Sequence, residues 1–295
     1  MHSYWDDFWA LRGFKDAAFA ARLVGAPQAA RRWARVRDAF RADLIASLGA
    51  AMVGHDIAYL PGAAELGDFD PASTAIALSP VDELASLPRA AVRQTFERYY
   101  AQFQAREDGS AVWERFTPYE VRIGGALLRL GEPERARVLL GAMLEAQRPL
   151  GWQEWPEVVW HDARRPAFFG DLPHAWVAAE FIRSALDLFA FERESDSALV
   201  VGAGIAPEWV TATPGVAVRD LRTAYGALSF SMTADGDRVR VRLEGSLDPP
   251  PGGVVVHAPL AAPLRSVVVN GVSRDAGTTG EVTIRALPAE IVFGY

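Results

Sequence analysis

Arg238-Val-Arg-Val-Arg-Leu-Glu244 alternates charged and apolar side chains without a break. Only a backbone with a side-chain period of two sorts such residues onto opposite faces, so the stretch reads as a strand with one buried face. Asp235-Gly236 just before it is a tight-turn pair that joins it to Leu228–Met232 as a hairpin. Asn270-Gly271 repeats the device after Val267-Val-Val269. Further short runs at Val216–Leu221, Val254–His257, Val282–Arg285 and Ile291–Phe293 bring the tail to about seven or eight strands, a number and spacing that predict a β-sandwich.

Upstream of residue 197 the period changes. Trp33, Val36, Phe40 and Leu44 form one helical stripe, Val92, Phe96, Tyr99 and Phe103 a second, and Ala136, Leu139, Leu140 and Met143 a third. The pattern predicts helices at 3–24, 27–50, 88–105, 118–130, 133–147 and 173–193. Pro27, Pro88, Pro118, Pro133 and Pro173 stand near their first turns, where a missing N–H costs nothing. In the last of these, Glu180, Arg183, Ser184 and Asp187 make one polar stripe on an otherwise apolar helix, read as a solvated or ion-paired face. The expected organisation is α+β, with a helical domain at 1–197 and a β domain at 198–295.

Composition removes several kinds of chemistry. The 295 residues include no cysteine, which excludes disulfides, thiolate nucleophiles and thiolate-bound metal. Lys15 is the single lysine among 30 basic residues, so no phosphate loop ending in Gly-Lys-Ser/Thr exists. There is no Gly-x-Ser-x-Gly elbow, and the five histidines lack metal-ligand spacing. No cofactor and no metal are expected. A net charge of −7 with scattered arginines argues against nucleic acid as a partner. No segment reads as a secretory signal or a membrane span, which leaves the cytoplasm as the default location.

Two loops of the helical half are long, about 51–81 and 148–172, and loops of that length are more often functional than idle. They gather acids and aromatics: Asp56, Tyr59, Glu65, Asp68, Phe69 and Asp70 in the first, then Trp152, Glu154, Trp155, Glu157, Trp160, His161 and Asp162 in the second. Six of the nine tryptophans (Trp5, Trp9, Trp152, Trp155, Trp160 and Trp176) lie in these loops or at the start of a nearby helix. An indole face beside a carboxylate suits a sugar, whose C–H face stacks on the ring while the acid serves the glycosidic oxygen or the attacking water.

The succession Phe116-Thr-Pro-Tyr, Leu127-Leu-Arg-Leu-Gly-Glu-Pro-Glu-Arg-Ala-Arg-Val-Leu-Leu140, Pro149-Leu-Gly-Trp-Gln-Glu-Trp-Pro156 and Leu172-Pro-His-Ala-Trp176 resembles the closing part of the (α/α)6 toroid of six-hairpin glycosidases. The nearest likeness is to α-L-rhamnosidase-like enzymes, in which a β-sandwich follows the toroid. The stretch from Ile205-Ala-Pro to Tyr225-Gly-Ala-Leu is similar to its opening strands, and Ser3-Tyr-Trp-Asp-Asp-Phe-Trp9 looks like the cleft end of an inner toroid helix. The resemblance spans roughly residues 90–245.

It implies an inverting glycoside hydrolase whose general base is a glutamate followed closely by tryptophan, a position held here by Glu154. Glu157, three residues on, is the alternative. The family's histidine before the last helix matches His174, as a hydroxyl-binding residue. The family's general acid lies earlier, in a loop without counterpart here, and Asp6 and Asp7 are the available substitutes. Trp5, Trp9, Asp68, Asp70, Trp152, Trp155 and Trp176 complete the expected sugar-binding set. Several have a structural alternative: core or interface aromatics for Trp5 and Trp9, helix-dipole partners for Asp6 and Asp7, a helix-start histidine bonded to backbone for His174, a turn cap for Asp68-Phe-Asp70. Three functions stay open: hydrolysis of an oligo- or polysaccharide, carbohydrate binding without catalysis, and a polysaccharide lyase using tyrosine with arginine or histidine. Six helices are half of what a closed six-hairpin ring needs, so a homodimer or a preceding N-terminal part is expected to complete it.

Overall fold

The computed structural model describes residues 1–149, 151–162, 170–275 and 280–295. Eight α-helices are present among them: α1 Tyr4–Leu23, α2 Pro27–Gly54, α3 Pro71–Thr74, α4 Arg89–Glu107, α5 Ile123–Arg129, α6 Pro133–Glu145, α7 Ala175–Asp187 and α8 Pro207–Thr211. The strands are β1 Arg115–Phe116, β2 Val159–Trp160, β3 Ala190–Arg193, β4 Ala198–Val201, β5 Val216–Thr223, β6 Gly226–Asp235, β7 Arg238–Gly245, β8 Gly253–His257, β9 Ser266–Val269, β10 Val272–Arg274, β11 Glu281–Ile284 and β12 Ala289–Gly294. The protein is α+β. The chain divides into two compact units, one of Met1–Leu130 with Leu139–Phe181, the other of Gly131–Val138 with Ile182–Tyr295.

In the first unit α1 and α2 form an antiparallel hairpin. Phe14 of α1 stacks on Trp33 at 6.1 Å and meets Phe40 edge-on at 5.4 Å, and near the other end Tyr4 shares a hydrogen bond with Ser47 (2.9 Å). The segment after α2 is packed, not open. Leu60 to Ala63 and Ala72 to Ser79 are buried, and Leu60 donates its N–H to the Thr95 hydroxyl on α4 (2.9 Å). Under it, Glu83 accepts bonds from Lys15 (2.7 Å) and from both nitrogens of a forked Arg41 contact (2.8 and 2.9 Å). The expected helix at 118–130 divides into a 3-10 turn, Pro118–Arg122, and then α5.

The expectation for 173–193 needs correction at both ends. His174 donates its N–H to the Trp155 carbonyl (2.9 Å), and its own carbonyl accepts from Ala178 (3.2 Å). His174 is thus the last residue outside the helix, and α7 begins at Ala175. At the other end Ala190–Arg193 leaves the helix to pair antiparallel with Ala198–Val201, because ladder hydrogen bonds outweigh a local helical period. Of the two readings of the polar stripe of α7, the solvated one fails: Glu180, Ser184 and Asp187 are buried, with Glu180 ion-paired, while Trp176 (60% exposed), Ile182 (59%) and Leu186 (45%) face outward.

The second unit holds two sheets around one core. The six-stranded sheet runs β10-β9-β12-β7-β6-β5, antiparallel throughout. The four-stranded sheet runs β11-β8-β4-β3, with β4 parallel to β8. Val239, Val241 and Leu243 of the alternating stretch enter that core together with Leu199, Val201, Val254 and Val256 of the other sheet. The first hairpin turns on Gly236 and Asp237, with Gly236 at φ +60° in the position that favours glycine. Asn270 (φ +48°) and Gly271 (φ +79°) both take left-handed backbone, as a type I′ turn demands. Gly271→Ala is expected to lower stability by about 1 kcal/mol, read as a lower thermal midpoint, since a Cβ there strains φ without meeting any neighbour.

Candidate functional site

Tyr119 organises the site. Thr117 accepts a hydrogen bond from the Tyr119 N–H (3.3 Å) at the start of the 3-10 turn and donates its hydroxyl to the Glu157 carbonyl (2.9 Å). The two-stranded ribbon, Arg115 opposite Trp160 and Phe116 opposite Val159, holds the same two segments together. Glu157 is fixed from its other side as well, because its N–H donates to the Asp171 carbonyl (3.2 Å).

Two indoles flank Tyr119. Trp5 of α1 and Trp176 of α7 are stacked, 6.3 Å between centroids with 11° between planes, and Tyr119 stands nearly perpendicular to both at 5.8 and 6.3 Å. Beneath them lies the Arg122 guanidinium, 4.3 Å from the Trp5 ring and 4.5 Å from the Tyr119 ring, and it pairs with Glu180 at 3.2 Å. Arg122 is 1% exposed. Charge at that depth persists only with a partner, and Glu180 on the inward face of α7 supplies it. This ion pair accounts for the inward turn of Glu180.

The Tyr119 hydroxyl bonds His174 Nε2 at 2.7 Å. Its acidity is suppressed to a pKa of about 12: burial raises it most, Arg122 opposes, and the carboxylates of Glu157, Glu180 and Asp171 raise it further. At neutral pH the group is an un-ionised phenol, a donor and acceptor suited to sugar hydroxyls. Gly170 sits at φ +71°, where a Cβ would lie 2.3 Å from the Glu157 Cβ and 2.4 Å from its Oε2. The glycine makes room for the Glu157 side chain. Gly170→Ala is therefore expected to displace that carboxylate and to cost about 1–2 kcal/mol of stability, measured by denaturant unfolding.

Of the residues singled out in the sequence, Trp5, Glu157, His174 and Trp176 come together around Tyr119. Trp155 lies in the core, 7% exposed, its Nε1 donating to the Met143 carbonyl (2.7 Å) and its ring 4.8 Å from Phe181. Glu154, half-buried, accepts the Arg148 N–H through its backbone carbonyl (3.0 Å), and Trp152 is exposed on a turn closed by Pro149 (3.1 Å). Asp68 accepts the Ala63 N–H (2.9 Å), and Asp70 caps α3 by accepting from the Ser73 N–H (3.0 Å) and hydroxyl.

Asp6 is exposed. Asp7 is half-buried with its pKa raised by burial and by Asp6, against the pull of His2. Two residues beyond Trp5, Asp7 projects roughly 200° further round the helix, whereas Trp9, one turn on, shares the Trp5 face. Leu150 and residues 163–169 of the second loop lie outside the described residues.

Tyr119 and Arg122 carry the site without having been assigned a role from the sequence. Phe116-Thr-Pro-Tyr119 was a visible motif, but nothing local connects Arg122 to Glu180, 58 residues away. Among the described residues no three acids or histidines gather at metal-binding geometry, and no helix is long and apolar enough to cross a membrane.

Comparison with solved structures shows a likeness of fold. The chain is folded like part of an α-L-rhamnosidase. The structure of that enzyme from Dictyoglumus thermophilum is similar over 98% of this chain, with a TM-score of 0.55 at 12% sequence identity. The matching region is 32% of the rhamnosidase, so this chain spans about a third of that enzyme's length. No family model matches the sequence, nor does any curated protein.

Proposed function

We propose that the first unit carries a carbohydrate site of glycoside-hydrolase type, with Trp5, Tyr119 and Trp176 as the sugar-facing rings, His174 and Tyr119 as hydroxyl partners and Glu157 as general base. The observation that carries this reading is the convergence of two indoles, a histidine and one carboxylate-bearing loop on Tyr119. The exposed Trp176 offers a stacking face. Thr117 and the Arg115–Trp160 ribbon hold the loop of Glu157 against the turn that carries Tyr119, so the catalytic role is assigned to Glu157, with Glu154 the alternative. Inversion requires this base to activate water beneath the anomeric carbon.

A panel of aryl glycosides and plant and bacterial polysaccharides tests the proposal by release of reducing sugar. Release that depends on Glu157 supports it. Sugar-dependent quenching of tryptophan fluorescence without any release would replace hydrolysis by binding alone. Trp176→Ala is expected to weaken sugar binding by about 1 kcal/mol or more, seen in the same fluorescence titration. The lyase reading is disfavoured by one observation: a tyrosine base must give up its proton, and Tyr119 is held as a phenol by its surroundings.

We further infer that the helices are hairpins of an (α/α) toroid completed by another polypeptide, either a second copy or the remainder of a longer protein. Trp9, Phe19, Leu23 and Val24 on or just beyond α1 are exposed, as are Ile182 and Leu186 on α7, and apolar faces of this kind mark interfaces. Light scattering reporting a well-behaved monomer of this chain would count against completion by a second copy.

A further inference from the structure

The turn that carries Tyr119 and Arg122 also carries Glu120, whose carboxylate meets α4. We propose that Glu120 is the positioning residue of the site: gripped by α4, it sets the rotation of the 118–122 turn and with it the place of the Tyr119 hydroxyl. Its importance for a sugar rests on the carbohydrate reading above.

Pro118–Arg122 is a 3-10 turn, and with three residues per turn the side chains at i and i+3 lie one above the other. Tyr119 and Arg122 therefore share a side, with the guanidinium 4.5 Å from the ring. Glu120 follows Tyr119 by a third of a turn, roughly 120°. Its carboxylate receives both arms of Arg106, Nη1 on Oε1 at 3.0 Å and Nη2 on Oε2 at 2.8 Å, while the Tyr99 hydroxyl donates to Oε2 at 2.7 Å. Tyr99 and Arg106 stand two turns apart on α4 and so share one face. Glu120 is 9% exposed and Tyr99 4%. Burial, and then the Glu120 charge beside it, raises the Tyr99 pKa well above the usual tyrosine value, so the hydroxyl keeps the proton it donates.

Arg106 does a second thing. Its guanidinium lies 4.1 Å from the ring of Phe116, so one side chain holds the backbone on both sides of Tyr119. An ion pair at that depth adds little stability over packed apolar side chains, but two parallel bonds in a fork fix orientation as well as distance. The effect passes to a ligand through Tyr119, whose hydroxyl bonds His174 Nε2 at 2.7 Å.

The test is NMR of the histidine ring nitrogens in the intact protein, which needs no sugar. His174 is identified by its loss in His174→Gln, and Tyr119→Phe gives the signal of a ring without its hydroxyl partner. Glu120→Gln should move the His174 Nε2 signal toward its Tyr119→Phe position. Arg106→Lys, which keeps the charge but not the fork, should move it the same way and guards against a Glu120 variant that does not fold. Tyr99→Phe leaves the fork in place and should move it less. The control is Glu83→Gln, which breaks a buried ion pair joining α1 and α2: its urea midpoint should fall while the His174 signal stays.

On any aryl glycoside that the wild type cleaves, Glu120→Gln should lower kcat/KM about tenfold or more under conditions where it is fully folded, since a misplacement of about 1 Å can cost about 10²-fold. A His174 signal unmoved in folded Glu120→Gln and Arg106→Lys would overturn the proposal. So would one that Tyr119→Phe itself leaves in place, or one that Glu83→Gln moves as far. A signal that moves as expected in a protein that binds and cleaves no sugar would keep Glu120 as the residue that places Tyr119 and overturn the carbohydrate reading instead.

Discussion

Glu83→Gln lowers unfolding stability by about 3 kcal/mol, the low end of what breaking a buried ion pair costs. The carboxylate is 4% exposed and receives Lys15 (2.7 Å) together with the forked Arg41 contact, while Lys15 is itself 8% exposed and also donates to the Val81 carbonyl. Replacing Glu83 alone removes the buried carboxylate that both Lys15 and Arg41 meet. Arg41 remains a quarter exposed and can turn to Asp38 (3.0 Å), which keeps the loss from the upper end. Urea unfolding checks this: the midpoint should fall with the m-value unchanged, because compactness is not altered. Simultaneous replacement of Lys15 and Glu83 by Met and Leu should restore most of the loss, since a packed apolar pair avoids desolvating two charges.

The same carboxylate makes part of the stability dependent on pH. Burial raises the Glu83 pKa, but the bonds from Arg41 and Lys15 outweigh it, and the folded-state value ends below the ordinary one. A depressed carboxylate contributes its stabilisation in full above the unfolded pKa of about 4.3 and loses it as pH falls through the lower folded value. Wild-type stability should therefore drop below about pH 4 more steeply than that of the Glu83→Gln variant.

Glu157→Gln is the second large effect, expected on turnover: a loss of about 10²–10⁴-fold, the usual contribution of a positioned general base. Sugar affinity of neutral ligands should change by no more than about threefold, because the amide keeps the shape and hydrogen-bonding reach of the acid. The position suits the role because Glu157 is held on both sides of its backbone, by Asp171 and by Thr117, and its side chain occupies the space left by Gly170. Such fixing is what a base needs to keep its geometry between binding and reaction. Gly170→Ala, which moves that side chain without removing it, should lower kcat more than it raises KM. Equal loss of kcat in Glu154→Gln with none in Glu157→Gln would transfer the role to Glu154.

The sequence alone determined the two kinds of structure and much of their extent. Arg238 to Glu244 forms a strand because every second side chain meets water, and Asn270-Gly271 turns because those two residues tolerate left-handed backbone. The stripes of α2, α4 and α6 were readable for the matching reason at a period of 3.6. Local periodicity is a contrast between one solvated and one buried face, and it fades where both faces are covered. Ala198–Val201 is buried at every position, which erases the alternation that would mark a strand.

Only the tertiary structure decided the site. Glu180, Ser184 and Asp187 have the spacing of a solvated stripe, yet they are buried, and Glu180 faces inward because Arg122 from a distant turn offers it a counter-charge and the rings of Trp5 and Tyr119 close over that cation. The same closure separates four tryptophans that are alike in sequence: Trp155 is anchored in the core through Met143, Trp152 lies exposed on a turn, and Trp5 and Trp176 frame Tyr119. Burial of a charge and the fate of an indole depend on partners tens of residues away, and no spacing along the chain encodes those distances.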